Sequence, residues 1–517
     1  MLTTIRGAAR DVIASLSANR SVKNTIWTLL AGVWAGFLIV LTTPWFVARL
    51  GLEGYGLLGL WLMMQVMMGL LDFGLGSTLI KEFADSRQDH ELLEYKRDLL
   101  RTLERAYWGI SATITLILYM ASGWIAVRWL QSHTLPSSYV SHAIRLMALA
   151  LGIQFPCTLY LNGLAGLQKH GRMSALQIMG NSLRYGGGAA VLIWHPNLIW
   201  FFATQVLAAS VQTFAIRRVL WGMVSTTSGA SPVFRVNLIY RHWRFSTGMA
   251  LTSISALLLS NIDRIVLSKM MPTVELGKYA VAFTATGLLQ LGIQPFYRAY
   301  FPRYSELISQ GDSKRLRQEY FTSCKMMAIV IIPIGLIGWM FASQLFHAWL
   351  GKSDDTIISV FRWLLIGMTC SGLMWLPAAF QQAHGWTRLH VLMMTGALVI
   401  GTPVMVWAIS SYGTLGATTV WVLHGVSDIT LGLWLMHRHL LIGEMFGWLR
   451  TVVLLPLLVS IPLVIFSWWL MPSGLDRWSA LGWTATTGLV VILVALSFSL
   501  GKHRKSPLPQ SADLLGE

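Results

Sequence analysis

The stretch FSTGMALTSISALLLSNIDRIVLSKMMPTVELGKYAVAFTATGLLQLGIQPFYRAYFPRYSEL, Phe245 to Leu307, decides the fold. It reads as two apolar spans, about 247–268 and about 279–300, with charges inside them. The first contains Asn261, Asp263 and Arg264. The second ends in Gln294, Pro295, Tyr297 and Arg298, followed by Phe301-Pro302-Arg303. A run of about 20 apolar residues is long enough to cross a bilayer as a helix. A charge within it costs at least a few kcal/mol, so such residues face a cavity or another helix. At helical spacing Thr252, Ala256, Ser260, Asp263 and Arg264 share one face, opposite Leu258 and Ile262. The spacing predicts a helix with one wet side.

The rest of the chain repeats this pattern. Of its 517 residues 55% are hydrophobic and only 12% charged, about half the charge of a soluble domain. Apolar spans fall at about 24–46, 55–80, 107–127, 143–165, 174–194, 197–216, 247–268, 279–300, 322–342, 357–380, 390–410, 415–436, 451–470 and 479–499. The expected fold class is therefore an all-α polytopic membrane protein of about fourteen transmembrane helices. Barrel strands would be shorter and would alternate.

Loop charge sets the orientation. Arg6, Arg10, Arg20 and Lys23, then Lys81 to Arg105, Lys169 and Arg172, Arg217 to Arg244, Arg303 to Arg317, Arg438, and Lys502 to Lys505 fall on one side. The opposite loops hold little more than Arg49, Arg128, Lys269, Lys278, Lys352 and Arg477. Both termini are expected in the cytoplasm. The net charge of +17 reads as loops facing an anionic leaflet rather than as a nucleic-acid surface. The first 20 residues lack the apolar core and cleavage site of a signal peptide. Cys157, Cys324 and Cys370 lie in or beside spans and suggest neither a disulfide framework nor a metal site. The longest loops, about 81–106 and 217–246, have room for a short surface helix each. No Walker motif is present, and no catalytic residues or metal ligands are assigned.

A weak internal repeat runs through the chain. Gly54-Tyr55-Gly56 opens the second span and Gly277-Lys278-Tyr279 the eighth. Gln168 to Arg172 joins spans four and five, as Ala383 to Arg388 joins ten and eleven. The order predicts an N-lobe over 24–216 and a C-lobe over 247–436, joined by a cytoplasmic linker over 217–246. A cytoplasmic segment, 1–23, precedes them, and two added helices over 437–500 and a tail over 501–517 follow. Parallel repeats of this kind place a substrate site between lobes.

Intramembrane polar residues are the functional candidates. Span one carries Asn24, Thr28, Gly32, Ala35 and Gly36 on one side, a pattern that suits close packing. Span two carries Gln65 and Asp72, in Leu71-Asp72-Phe73-Gly74-Leu75-Gly76. Span five places Asn181, Arg184, Tyr185 and Gly188 on one face, with Arg184 near the middle, where snorkelling is hardest. Arg145 and Arg362 open spans four and ten from the outer side and Arg298 closes span eight from the inner; each either lines a cavity or snorkels. Asp263 either pairs with Arg264 or carries a coupling ion. His424 and Asp428, one turn apart in span twelve, either pair structurally or relay a proton.

Taken together, Leu50-Gly51-Leu52-Glu53-Gly54-Tyr55-Gly56, Leu71 to Gly76, Asn261-Ile262-Asp263-Arg264 with Gly277-Lys278-Tyr279, and Phe301-Pro302-Arg303 followed by Gly311-Asp312 resemble polysaccharide repeat-unit (Wzx-type O-antigen) flippases. These belong to the superfamily of multidrug, oligosaccharidyl-lipid and polysaccharide exporters. The resemblance spans about residues 20–440. It implies an inner-membrane protein of two six-helix lobes in a V. It also implies that an undecaprenyl-diphosphate-linked oligosaccharide passes from the cytoplasmic to the periplasmic leaflet by alternating access. The polymerase and chain-length regulator of the same pathway are the expected protein partners, beside membrane lipids. No cofactor is expected; a proton or sodium gradient or the membrane potential would supply the energy.

The residues agree with such a cargo. Guanidinium groups match phosphate oxygens bidentately, so Arg145, Arg184, Arg264, Arg298 and Arg362 are candidates for the diphosphate. Tyr185, Tyr297 and Tyr300 are candidates for stacking on sugars, and Asp72, Asp263 and Asp428 for ion coupling. Two alternatives from the same superfamily are a lipid II flippase and a cation-coupled multidrug exporter. A polysaccharide polymerase or ligase would need a large outer catalytic loop, and the sequence contains none. The glycan, the coupling ion and the oligomeric state are not legible in the sequence.

Overall fold

The computed structural model describes residues 20–72, 74–85, 90–224, 232–238, 258–352, 354–386, 388–472 and 474–503. Among these the secondary structure is helical, apart from one isolated bridge between Gln131 and Pro272. The helices are α1 (Arg20–Met67), α2 (Leu75–Ala84), α3 (His90–Trp124), α4 (Ser137–Gly166), α5 (His170–Asn181), α6 (Gly187–Trp194), α7 (Leu198–Val224), α8 (Ile262–Met270), α9 (Thr273–Thr286) and α10 (Leu288–Ser309). They continue with α11 (Ser313–Met340), α12 (Ala342–Leu350), α13 (Asp355–Leu373), α14 (Trp375–Ala383), α15 (Arg388–Tyr412), α16 (Thr419–Ser427), α17 (Leu433–Leu440), α18 (Met445–Trp448), α19 (Leu455–Trp469) and α20 (Arg477–His503). The chain is an all-α multi-pass membrane protein: nine described helical stretches are long and apolar enough to cross a bilayer. Side chains such as Met120, Trp194, Leu207, Ile400 and Trp469 are more than 60% exposed. Apolar surface on that scale suits hydrocarbon and not water.

Breaks make the helices outnumber the expected spans. The first two spans are two helices, together α1, that meet at Gly51, whose non-helical backbone (φ 72°, ψ 173°) is open to glycine at little cost. The second span does not run to residue 80. It ends at Met67, passes through a 3-10 turn, Met68–Asp72, and restarts as α2 behind Gly74, which is left-handed at φ 74°. Among its described residues the loop at 81–106 holds no separate surface helix; α3 begins at His90 and continues through the third expected span. The one-faced helix expected over 247–268 is interrupted. A turn at Ser260 and Asn261 precedes α8, so Asp263 and Arg264 stand in the first turn of a new helix. Thr252 and Ala256 lie outside the described residues. A polar run, Ser260-Asn261, competes for backbone hydrogen bonds and favours such a restart.

The chain divides into two compact units, one running to Leu291 with Val391–Val420, the other comprising Gly292–His390 and the residues from Trp421 on. In the first, Leu79, Phe83, Leu99, Leu103, Tyr107, Phe155, Tyr160, Leu164 and Leu220 form a buried core among α2, α3, α4 and α7. Buried Glu104 accepts hydrogen bonds from Arg217 at 2.5 Å, Tyr160 at 2.7 Å and Arg101 at 3.0 Å. Residues 232–238 are tied to α3 by Asp98, which accepts from the Val233 N–H at 2.7 Å and pairs with Arg235 at 2.9 Å. At the opposite end Glu53 accepts from the Ser132 hydroxyl and from the backbone N–H groups of His133 and Thr134, at 2.6–3.1 Å. In the second unit Ile337, Phe341, Val464 and Val491 pack α11 against α19 and α20. Asp476 precedes α20 and accepts from the Trp478 N–H at 3.2 Å. A hydrogen bond from the Ser479 hydroxyl, the largest influence, and backbone N–H groups hold its carboxyl below the usual carboxylate range.

Candidate functional site

Three glycines in a row, Gly186 to Gly188, loosen the helix between α5 and α6, and a π-turn, Ser182–Gly186, forms there. The extra residue per turn swings Arg184 inward, where it is only 9% exposed. Its guanidinium meets glutamines instead of acids. Nη2 donates to the Gln212 side-chain oxygen. With the Gln154 amide turned so that its oxygen faces the guanidinium, that oxygen accepts at 2.8 and 3.2 Å, and the nitrogen faces Gln65 at 2.7 Å. Gln205 donates to the Arg184 carbonyl at 3.1 Å. Glycines make room for this ring. A Cβ at Gly180 would lie 2.1 Å from the Gln212 amide carbon, and one at Gly188 would lie 3.3 Å from the Gln205 nitrogen.

No ion pair to Arg184 is present among the described residues, and its Nε and the Gln205 oxygen are buried without a hydrogen-bond partner. A guanidinium surrounded by neutral dipoles has the donor geometry that matches an oxyanion. The sequence reading found Arg184, Tyr185 and Gln65 but missed Gln154, Gln205 and Gln212. The last two stand seven residues apart on α7, two turns along one face, and that spacing was the available signal.

A second polar cluster of the first unit surrounds the start of α8. Asp263, fully buried, accepts from the Tyr279 hydroxyl at 2.5 Å. Arg264 donates to the Ser260 carbonyl and to Asn261, at 3.1 and 2.8 Å, approaches Asp263 at 3.9 Å and lies over the Phe283 ring at 4.2 Å. Asp72 accepts from the Tyr107 hydroxyl and, at 3.3 Å, from the Gly76 N–H, so it caps the restart of the helix. Arg145 donates to Ser122 at 3.1 Å and lies over the Tyr119 ring at 5.1 Å. Tyr185 is half-buried on the π-turn.

In the second unit Arg298 is exposed and reaches Gln294 at 3.4 Å. Tyr297 donates to Gln382 at 2.8 Å and stacks on Phe301 at a ring separation of 5.7 Å. Tyr300 is half-buried and points its hydroxyl at the Met326 sulfur, 4.0 Å away. Arg362 donates to the Trp339 carbonyl at 3.0 Å and lies over its ring at 5.2 Å. Asp428 lies 3.5 Å from His424 and accepts from Ser371 at 3.3 Å. Each candidate arginine thus has its own surroundings: Arg145, Arg184 and Arg264 in the first unit, Arg298 and Arg362 in the second. Arg184 alone of the five is buried and has an all-neutral set of described partners.

Comparison with known proteins fits this architecture. Residues 21–308 match the family described as polysaccharide biosynthesis protein. The chain belongs to the polysaccharide biosynthesis protein family. With it, the chain falls in the superfamily of multidrug, oligosaccharidyl-lipid and polysaccharide exporters; residues 249–407 also match the MatE family. A Shigella flexneri protein named "Putative O-antigen transporter" is 24% identical over 427 residues, covering 81% of this chain and 98% of that protein. Among solved structures, the lipid II flippase MurJ in an inward closed conformation superposes with a TM-score of 0.72 at 13% identity, covering 94% of this chain and all of that one. An inward-facing multidrug resistance MATE family transporter superposes at 0.65 and 14% identity over 78% of this chain and 94% of that one. This member of the polysaccharide biosynthesis family therefore shares the MurJ and MATE fold.

Proposed function

We propose that the chain is a flippase for cell-surface polysaccharide synthesis (O-antigen, capsule or exopolysaccharide). It moves an undecaprenyl-diphosphate-linked oligosaccharide from the cytoplasmic to the periplasmic leaflet of the inner membrane, with both termini cytoplasmic. The observation that carries this reading is Arg184, a buried guanidinium held by glutamines with no carboxylate partner among the described residues. A carrier of cationic drugs would place acids there, whereas a diphosphate needs desolvated positive charge. The likeness to the Shigella flexneri protein named "Putative O-antigen transporter" supports the same cargo class.

The lobes, 24–216 and 247–436, alternate in facing the two sides, and no covalent bond of the cargo changes. Arg298 meets the diphosphate near the cytoplasmic leaflet and Arg184 holds it deeper in. Arg145, Arg264 and Arg362 keep the path cationic, while Tyr185, Tyr297 and Tyr300 offer ring faces to sugars. The isoprenoid tail stays in lipid. The pathway's polymerase receives the product.

The test is complementation. The gene should restore surface polysaccharide to a strain lacking its O-antigen flippase and should fail to rescue depletion of the lipid II flippase. The reverse result would assign lipid II as cargo, and loss of drug sensitivity without surface glycan would assign drug export.

A further inference from the structure

The second unit holds a buried acid whose ion-pair partner is itself titratable. Asp428, 7% exposed, opens a π-turn, Asp428–Gly432. Its Oδ2 lies 3.5 Å from His424 Nε2, one helical turn earlier, and accepts from the Ser371 hydroxyl of α13 at 3.3 Å. The half-buried Cys370, also on α13, is the residue next to Ser371. Beyond the π-turn, α17 directs its ionisable groups elsewhere. His437 faces the Leu433 carbonyl and the Tyr320 hydroxyl, and Arg438 lies over the Trp434 ring. Among the described residues, His424 is the ion-pair partner that Asp428 has. Three other acids are held differently: Asp263 by Tyr279 and Arg264, Asp72 by Tyr107 and a backbone N–H, and Glu53, between spans, by a hydroxyl and two backbone N–H groups.

Directly beside this cluster α13 and α16 touch backbone to backbone. A Cβ at Gly425 would lie 2.3 Å from the Gly367 carbonyl oxygen and 3.0 Å from the Cys370 Cβ, and one at Gly367 would lie 2.6 Å from the Trp421 carbonyl. Gly425 is three residues before Asp428, and Gly367 four before Ser371. With one proton shared, the pair is neutral overall, whether written as carboxylic acid with imidazole or as carboxylate with imidazolium. When that proton leaves, a net negative charge remains in a low-dielectric interior, at a cost of about several kcal/mol unless water enters. Water cannot enter where glycine backbones touch, so the deprotonated pair favours separation of the two helices.

We propose that Asp428 and His424 form a single-proton binding site whose occupancy sets the packing of α13 on α16, and that proton exchange there energises transport. The second half of this statement rests on the flippase reading; the first does not. The site binds a proton between leaflets, and the glycine contact converts its charge into helix separation.

Two measurements test it. Infrared difference spectra of the full-length protein in lipid nanodiscs, between roughly pH 5 and pH 9, should show one carboxyl or imidazolium titration that both Asp428→Asn and His424→Gln abolish and Asp263→Asn leaves in place. A titration unchanged in either of the first two variants overturns the proposal, whatever the cargo. If Asp428→Asn does not accumulate, Asp428→Glu takes its place, and its midpoint must shift; an unshifted midpoint refutes the site. In proteoliposomes carrying a lipid-linked oligosaccharide, an imposed pH gradient should speed wild-type translocation about tenfold and leave Asp428→Asn indifferent. A gradient response kept by that variant sinks the coupling. No wild-type translocation, with the infrared titration present, would instead refute the flippase reading and the energising role while sustaining the proton site.

Discussion

Gly56 and Gly277 stand opposite each other in direct backbone contact. A Cβ on Gly56 would lie 3.1 Å from the Gly277 nitrogen and 2.2 Å from the Thr273 carbonyl oxygen. A Cβ on Gly277 would lie 3.1 Å from the Gly56 nitrogen and 1.9 Å from the Leu52 carbonyl oxygen. The near-reciprocal distances join the two glycine–tyrosine motifs of the internal repeat. Their tyrosines are bonded nearby, Tyr55 to Thr43 at 3.1 Å and Thr284 at 3.2 Å, Tyr279 to Asp263 at 2.5 Å.

A side chain at either glycine must therefore push α1 and α9 apart, since the atoms it meets are backbone. Gly277→Val should lower thermal stability in detergent by about 1–3 kcal/mol and increase labelling of a cysteine placed at Thr284, near the contact. Unchanged labelling would mean that the helices accommodate the side chain without separating.

Arg184→Ala should reduce surface polysaccharide at equal protein level. A desolvated charge-assisted contact contributes about 1.5–3 kcal/mol, roughly tenfold to a hundredfold in rate. Lysine should recover part of the loss, because charge survives while the bidentate geometry does not. Arg298→Ala should also reduce transport, but less, since an exposed arginine contributes little per contact. Wild-type display from Arg184→Ala would leave the glutamine ring as a structural brace.

Glu104→Gln should destabilise the first unit. The carboxylate is buried and serves Arg217, Arg101 and Tyr160 at once. Removing its charge leaves two guanidinium groups without their shared acid, at a cost of about 2 kcal/mol. The figure is below that of a fully buried pair because the Arg217 side chain is 38% exposed. Thermal unfolding followed by size exclusion reads this out, and a melting point equal to wild type would contradict it.

Asp476 gives a pH-dependent contribution of known sign. Its folded-state carboxyl is held below the usual carboxylate range, first by the Ser479 hydroxyl. The stability it contributes is therefore fully present above its unfolded value and is lost as pH falls through the folded one. The melting-point difference between wild type and Asp476→Ala should be present at neutral pH and shrink toward about pH 3. A difference that is constant with pH would show that the cap acts by geometry alone.

Topology is open to reporter fusions. From loop charge, fusions at Ser86, Ser228 and Ser313 are expected to read as cytoplasmic and fusions at Ser137 and Ser353 as periplasmic. A phosphatase fusion active at Ser313 or silent at Ser137 would invert the assignment.

Sequence alone determined that this is a helical membrane protein, because hydrocarbon demands long apolar runs with internally satisfied backbones, and such runs are visible one after another. It also determined which residues are anomalous, since Arg184, Asp263 and Asp428 stand in places where charge is costly. Only the tertiary structure decided what each anomaly touches. Whether Arg184 meets an acid or a glutamine depends on which face α7 turns toward the π-turn, and no local pattern encodes that. The breaks at Gly74 and Ser260–Asn261 were hidden because hydropathy averages over a turn of irregular backbone. The contact of Gly56 with Gly277 was equally out of reach, since two motifs read as equivalent copies carry no sign that they touch. Burial in lipid is a property of segments, whereas the pairing of charges is a property of the packing between them.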